Sequence, residues 1–375
     1  MKNTMKIMLA LLTSVSLVTS ATAGELTVSG TAKATYNMLS GGSAGALNNS
    51  GKSLGITNEI DFGAKGELDN GMTWNYQVQF DPSTAGAGTV DDTRLELTTS
   101  YGTLGLYVLE GGLDTDNAAS QSVYGRPTDI GLASGITDGP GIDTFNNIQI
   151  HTPAGLLPFG LAVKAAFAPG NSSKTNSGNG ANTGIDNDRF VGNSTTQIQV
   201  KAAPIDGLSI GADFYEKDGQ GFGAEQVIQK NQAGSVYATY ASGPMSFGIS
   251  RTLVAPLMLG TNNVLVHADG TVGYSAFSNT GTGEGNVDAA RQYTNNKMSV
   301  AFNVNDQLSL SYEVEKSERE LIVNAAENDI KAQAVQAAYT MGGMTLSVSH
   351  GNVDNASYTA NNDTSQTLLA MTMAF

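Results

Sequence analysis

TSQTLLAMTMAF (Thr364–Phe375) is the last stretch of the chain, and its side chains alternate. Leu369, Met371, Met373 and Phe375 share one face, while Gln366, Leu368, Ala370, Thr372 and Ala374 share the other, which is polar or small except at Leu368. Period two over this length is the pattern of a strand, because successive side chains of a strand point to opposite faces. About ten residues is also what a tilted strand needs to cross a bilayer. In a soluble sandwich such a strand would leave an apolar edge open to aggregation. A barrel removes the edge by pairing the last strand with the first, so closure is the expectation.

The first half-and-half strand is ELTVSGTAKATY (Glu25–Tyr36), with Leu26, Val28, Ala32, Ala34 and Tyr36 on one face and Thr27, Ser29, Thr31, Lys33 and Thr35 on the other. Strands that are apolar outside and polar inside suit a barrel with lipid around it and water within. In Gly55–Asp81, Asp69-Asn70-Gly71 marks a tight turn, since Asn and Gly accept positive φ. Trp74, Tyr76, Val78 and Phe80 then alternate with Asn75, Gln77 and Gln79. Aromatic residues on the outer face fit a bilayer interface.

The same hairpin recurs along the chain. Turns are expected at Tyr101-Gly102, Pro153–Pro158, Pro204–Gly207, Ser242–Pro244, Asn305-Asp306 and Gly342-Gly343. With the first and last strands, these hairpins predict sixteen strands, an even number that brings both termini to one end. Long connections are expected over 37–54, 82–90, 111–146, 169–194, 216–232, 252–293, 318–329 and 352–363, all at the opposite end.

Composition agrees with one wet barrel. There is no cysteine, hence no disulfide or thiolate site, and 45 glycines serve many tight turns. Net charge is −15, which disfavours a nucleic-acid partner and favours cations in an aqueous lumen. Lys2 and Lys6, the apolar run Ile7–Val18 and Ala21-Thr22-Ala23 read as an export signal over residues 1–23, leaving a barrel domain over 24–375. No linker divides that domain.

A terminal aromatic on an alternating strand, with short and long connections in strict alternation, resembles the general porins of the Gram-negative outer membrane. The resemblance implies a 16-stranded antiparallel transmembrane barrel, all-β, with short periplasmic turns and long extracellular loops. It also implies a homotrimer among outer-membrane lipids that passes small hydrophilic solutes and ions. The third long connection corresponds in position to the loop that narrows the porin lumen. Its carboxylates Asp114, Asp116, Asp129, Asp138 and Asp143, with Glu110 at its root, would face a basic wall of Lys33, Lys65 and Arg94.

Other chemistry is thin. LDTDN places Asp114, Asp116 and Asn117 at calcium-loop spacing, but Ala119 and Gly125 stand where that loop needs a glycine and an acid. No metal or cofactor is therefore expected. His151, His267 and His350 fall at unrelated places and no nucleophile elbow occurs, so no enzyme is expected either. The functional readings are a general diffusion channel, a substrate-selective channel on the same barrel, or a non-conducting surface protein anchored by it.

Overall fold

The computed structural model describes residues 25–41, 50–81, 89–170, 194–218, 225–261, 290–321 and 328–375. The expected export signal, the Asn/Gly/Ser-rich stretch after residue 170 and His267 lie outside them. Strands in chain order begin with β1 (Glu25–Gly41), β2 (Gly51–Glu67), β3 (Thr73–Asp81), β4 (Thr89–Thr99), β5 (Gly102–Val108) and β6 (Asn147–His151). There follow β7 (Ala162–Ala168), β8 (Thr195–Ile205), β9 (Leu208–Lys217), β10 (Glu225–Gln229), β11 (Asn231–Ser242) and β12 (Met245–Ala255). The last are β13 (Met258–Thr261), β14 (Ala290–Asn303), β15 (Leu308–Leu321), β16 (Ile330–Met341), β17 (Met344–Asp354) and β18 (Thr364–Ala374).

All except β10 and β13 form a closed barrel of 16 strands, each antiparallel to its neighbours. Closure runs through the C-terminal strand: β18 pairs with β1 from Thr31↔Ala374 to Gly41↔Thr364. Gly30 and Phe375 extend that ladder by exchanging backbone bonds of 2.9 and 3.0 Å. The Phe375 ring lies so close over Gly30 that a Cβ there would sit 2.9 Å from it. A closed ladder gives each wall strand a hydrogen-bonded neighbour on both sides, which is what a bilayer core demands.

Alternation sets the two surfaces. On β18 the inward Gln366, Leu368 and Ala370 are buried while Leu369, Met371 and Met373 are exposed on the outside. Leu346 and Val348 on β17, Ile249 and Leu253 on β12 and Leu95 on β4 continue that exposed apolar face. A contiguous apolar surface of this kind is not built for water. The short turns fall where expected. Pro204 occurs at the end of β8, where the ladder to β9 slips between Ala202 and Ile205, a place that tolerates its missing N–H.

The long-loop end differs from the sequence reading. β1 and β2 stay paired to Leu39↔Gly51, and β14 and β15 to Ala290↔Leu321, so connections expected over 37–54 and 318–329 are shorter. β10 and β13 form a two-stranded ladder inside stretches expected to be irregular. The reason is physical. Backbone pairing continues past the apolar belt, but the outward side chains there are polar, as at Lys316, Glu318 and Lys331, so the alternating signal ends before the strands do.

Candidate functional site

The inward faces of the strands form a lining of Gln, Ser, Thr, Asn and charged residues. One connection, residues 109–146 between β5 and β6, folds into this space and is held there by the wall. Moving outward along the connection, Gln199 donates to the Leu113 carbonyl at 2.8 Å, and Thr115 donates to Asp213 through both its N–H and its hydroxyl at 2.8 and 2.7 Å. Ser250 donates to the Asp116 carbonyl at 3.0 Å and Ser299 to that of Ala119 at 2.7 Å. Ser122 then donates to Glu313 at 2.7 Å, the Val123 N–H to Ser311 at 3.0 Å, and Gln366 to the Ile130 carbonyl.

The segment then runs back. The Ser357 N–H donates to the Ser134 carbonyl at 2.8 Å, Asn295 to that of Thr137 at 2.7 Å, and the Ile142 N–H to Gln197 at 2.9 Å. The fold-back is thus laid against β8, β9, β12 and β14–β18. Its apolar tip, Ile130 and Leu132, packs with Ile330, Ala332, Ala334, Val353 and Tyr358. On β12, Gly248 faces the Ala119 carbonyl at a distance no Cβ could share.

Two buried cations, Lys297 and Arg126, hold the aspartates of the segment. Lys297 on β14 reaches Asp138 at 3.1 Å, Glu315 at 3.7 Å, Asp116 at 3.8 Å and the Asn117 side chain. Arg126, within the loop, grips Asp129 through Nε and Nη2 at 2.8 Å each, Asp138 at 3.0 Å and Glu315 at 3.4 Å. Lys297 and Glu315 stand directly opposite one another on β14 and β15. Burial of both cations strengthens these pairs beyond what exposed ones supply.

The expected acidic residues therefore divide. Asp129 is exposed, Asp114, Asp138 and Asp143 are half-buried, and Asp116 is buried at 1% exposure. Burial pushes Asp116 up to about 6; Lys297 opposes the shift, and the carboxylates of Asp138 and Asp114 add to it. Burial likewise raises Asp114 and Asp143. Asp138, though desolvated, is held below the ordinary carboxylate range by Lys297 and Arg126.

The expected basic residues divide too. Arg94 on β4 pairs with Glu110, at the loop's root, at 2.8 Å and also donates to Gln77. Lys33 on β1 stands 5.7 Å from the centre of the Tyr124 ring, on the loop. Lys65 lies apart near the short-turn end, 4.0 Å from Glu25, with both side chains largely exposed. None of the three pairs with Asp114, Asp116, Asp129, Asp138 or Asp143 among the described residues. Arg126 and Lys297 hold those carboxylates instead, and the sequence reading did not name them. A signal existed for each: Arg126 precedes Asp129 by three residues, and Lys297 and Glu315 occupy polar-face positions of one hairpin.

The two sides of the lumen differ in wetness. Under the loop, Glu313, Glu315, Ser317, Ser349 and Gln366 are at most 1% exposed. Across from it, the inward Lys33, Glu59, Asp61, Gln77 and Arg94 keep partial exposure although they face the interior.

No protein-family model matches this sequence, and no curated protein does. Solved structures do match. OmpT of Vibrio cholerae with its loop L8 deleted, an outer membrane protein, superposes with TM-score 0.64 at 12% identity, over 94% of this chain and 100% of that one. An anion-selective porin from Comamonas acidovorans gives 0.61 at 10% identity, over 94% and 100%. OmpF of Salmonella typhi in complex with daunomycin gives 0.59 at 14%, over 94% and 98%. What these proteins share with this chain is the porin-like outer-membrane barrel fold.

Proposed function

We propose that this chain, with the fold of the outer-membrane porins, is itself a porin: a water-filled barrel through which small hydrophilic solutes and ions diffuse passively. It carries out no catalysis and needs no cofactor. Residues 1–23 direct its export and are removed, the short turns face the periplasm, and the long connections face outward. The observation that carries this reading is the asymmetric lumen. One inserted segment covers the wall of β8–β18 with a bonded, largely dry contact, while the charged residues Lys33, Glu59, Asp61 and Arg94 on the wall of β1–β4 keep partial exposure. A barrel serving only as an anchor has no need of a wetted, charged interior wall facing a strapped-down loop.

Three barrels associate in this reading, as in the trimer form of OmpT among the structural neighbours. A shallow apolar groove on the outer face, lined by Ala34, Tyr36, Leu54, Ile56, Leu346, Leu369 and Met371, supports close packing there. Cations are preferred, because the inserted segment brings more carboxylates than cations and the whole chain is at −15. The test is conductance of the purified protein in a planar bilayer, in salts of differing cation and anion. Discrete, ohmic steps with a cation-biased zero-current potential are expected. A protein that inserts without conducting would make it a surface anchor instead, and strong block by one solute class would make it a selective channel.

A further inference from the structure

We infer that the lumen wall of β6–β8 carries a binding station for small dianions, built around Lys164 and Lys201. The inference deepens the channel reading and rests on it only for the station's role in transport. Lys164 on β7 and Lys201 on β8 both project inward. Their register, Lys164↔Gln199 and Ala162↔Lys201, makes them diagonal neighbours on adjacent strands. Diagonal side chains stand about 7–8 Å apart at the backbone, within mutual reach for two lysines. His151 is directly opposite Lys164 on β6.

The other charged groups on this stretch of wall are already engaged. Glu96 accepts from the Tyr107 hydroxyl at 2.5 Å on one oxygen and from Asn75 at 3.0 Å on the other. Arg94 is taken by Glu110 and Gln77. His151 Nε2 shares a 2.8 Å hydrogen bond with Gln149. Lys164 and Lys201 have no carboxylate within ion-pair distance among the described residues, and the charged groups that act on Lys164 are Lys201, Glu96 and Arg94. Two like charges side by side on one sheet face repel. A doubly negative solute relieves that repulsion and takes two ammonium groups at once.

The flanks are shaped as well. On one side the Tyr107 ring folds over Gly105, and on the other the Tyr237 ring folds over Gly211, where a side chain would also crowd the Lys201 stem. Both rings are buried, at 4% and 9% exposure, and the Tyr237 hydroxyl is 3.1 Å from Ser209. The half-exposed lysines thus lie on the wall between two buried aromatic rings, several strands away from the Lys297 and Arg126 network. The chemical class that fits is a compact dianion, whether inorganic hydrogen phosphate or a short dicarboxylate.

The experiment titrates hydrogen phosphate and succinate separately into the detergent-solubilised full chain by calorimetry, at fixed ionic strength in chloride. K164Q/K201Q is compared with wild type, and K331Q, on the outer surface of β16, serves as control. Saturable binding of at least one dianion, weakened about tenfold or more in the double variant and unchanged in K331Q, is expected. Heat from phosphate alone assigns the station to inorganic anions, and heat from succinate alone assigns it to dicarboxylates. No saturable heat from either, or equal binding by a double variant that keeps its strand-dominated circular dichroism, overturns the inference. Bilayer conductance of the same samples separates the two claims. Lysine-dependent binding by a barrel that does not conduct retires the channel reading alone, and conduction without such binding retires the station alone.

Discussion

Asp116 shows how one residue ties the inserted segment to the wall and to the solution. Its side chain takes the Gly139 N–H at 3.2 Å and faces Lys297, while Asp114 and Asp138 crowd it with like charge. Its proton affinity is raised from the ordinary value near 3.8 to about 6 in the docked arrangement. The docked state therefore binds more protons than a released loop between those two values, and docking weakens as pH rises through that window. Above it, Asp116 is charged in both states and the cost is constant. Acidification from pH 7 to 5 should thus neutralise Asp116, steady the loop and reduce the cation preference. Asp116→Asn should show at pH 7 the zero-current potential that wild type reaches near pH 5, and should flatten the change between them. A variant whose potential still moves by the wild-type amount over that range would assign the titration elsewhere. Arg126 acts in the opposite sense. Its pair with exposed Asp129 contributes little, but Glu315, 1% exposed, depends on Arg126 and Lys297 for compensation. Arg126→Leu should weaken loop docking, because Glu315 is then left to Lys297 alone and Asp138 loses one of its two cations. The expected readout is proteinase cleavage between residues 109 and 146 in a barrel whose strand signal is unchanged.

At the scale of elements, what was legible in the sequence is what alternation encodes. β18 reads directly because lipid on one side and water on the other sort Leu369, Met371 and Met373 from Gln366, Ala370 and Thr372. The turn at Asp69-Asn70-Gly71 and the one at Gly342-Gly343 read directly because positive φ demands those residues, and φ is +80° at Gly71 and +60° at Gly342. The path of residues 109–146 was not legible. That segment has no period, and its partners Lys297, Glu313 and Glu315 lie far along the chain, on strands whose polar faces look alike. The upper ends of β14 and β15 were missed for the related reason that their outward side chains there are polar, as at Lys316 and Glu318. One glycine records the loop's path after the fact. Gly248 is inward-facing in β12, and only the absence of a side chain lets the Ala119 carbonyl reach the wall. Gly248→Val should leave the barrel's strand content intact while lifting residues 115–123 from β12 and β14. Faster hydrogen exchange at the Gln121 and Val123 amides, which bond Ser299 and Ser311, would register the displacement.

The whole molecule has one closed wall with three environments: an apolar belt outside, a dry seam under the loop, and a wet charged face opposite. The outer belt is interrupted near the closure seam by the groove at Ala34, Leu54, Ile56 and Leu369, where Ile56 is 66% exposed. If three barrels meet there, Ala34→Arg should leave a folded monomer by light scattering in mild detergent, because a charge in that groove has no water to keep it solvated once partners close.

Selectivity is also a property of the whole lumen, since fields from fixed charges sum, and salt screens them over roughly 8–10 Å. Position within the lumen then outweighs net charge. Asp116 is dry and pairs with Lys297, and Asp129 pairs with Arg126, so both fields are partly cancelled at source, but Asp129 is exposed to the lumen solution and Asp116 is not. On the facing wall Lys33 has no carboxylate partner among the described residues and leans toward the Tyr124 ring, while Arg94 is offset by Glu110. Asp129→Asn should therefore move the zero-current potential toward anions more than Asp143→Asn, whose carboxylate is half-buried against the loop's own backbone. Lys33→Gln should move it toward cations, and more than Lys65→Gln, because Lys65 stands near the mouth beside Glu25 rather than opposite the loop. Each shift should shrink as salt rises from 0.1 M to 1 M and the screening length falls to about 3 Å. Potentials that ignore Asp129 and Lys33 at low salt would mean that solutes pass elsewhere than between the loop and the wall of β1–β4.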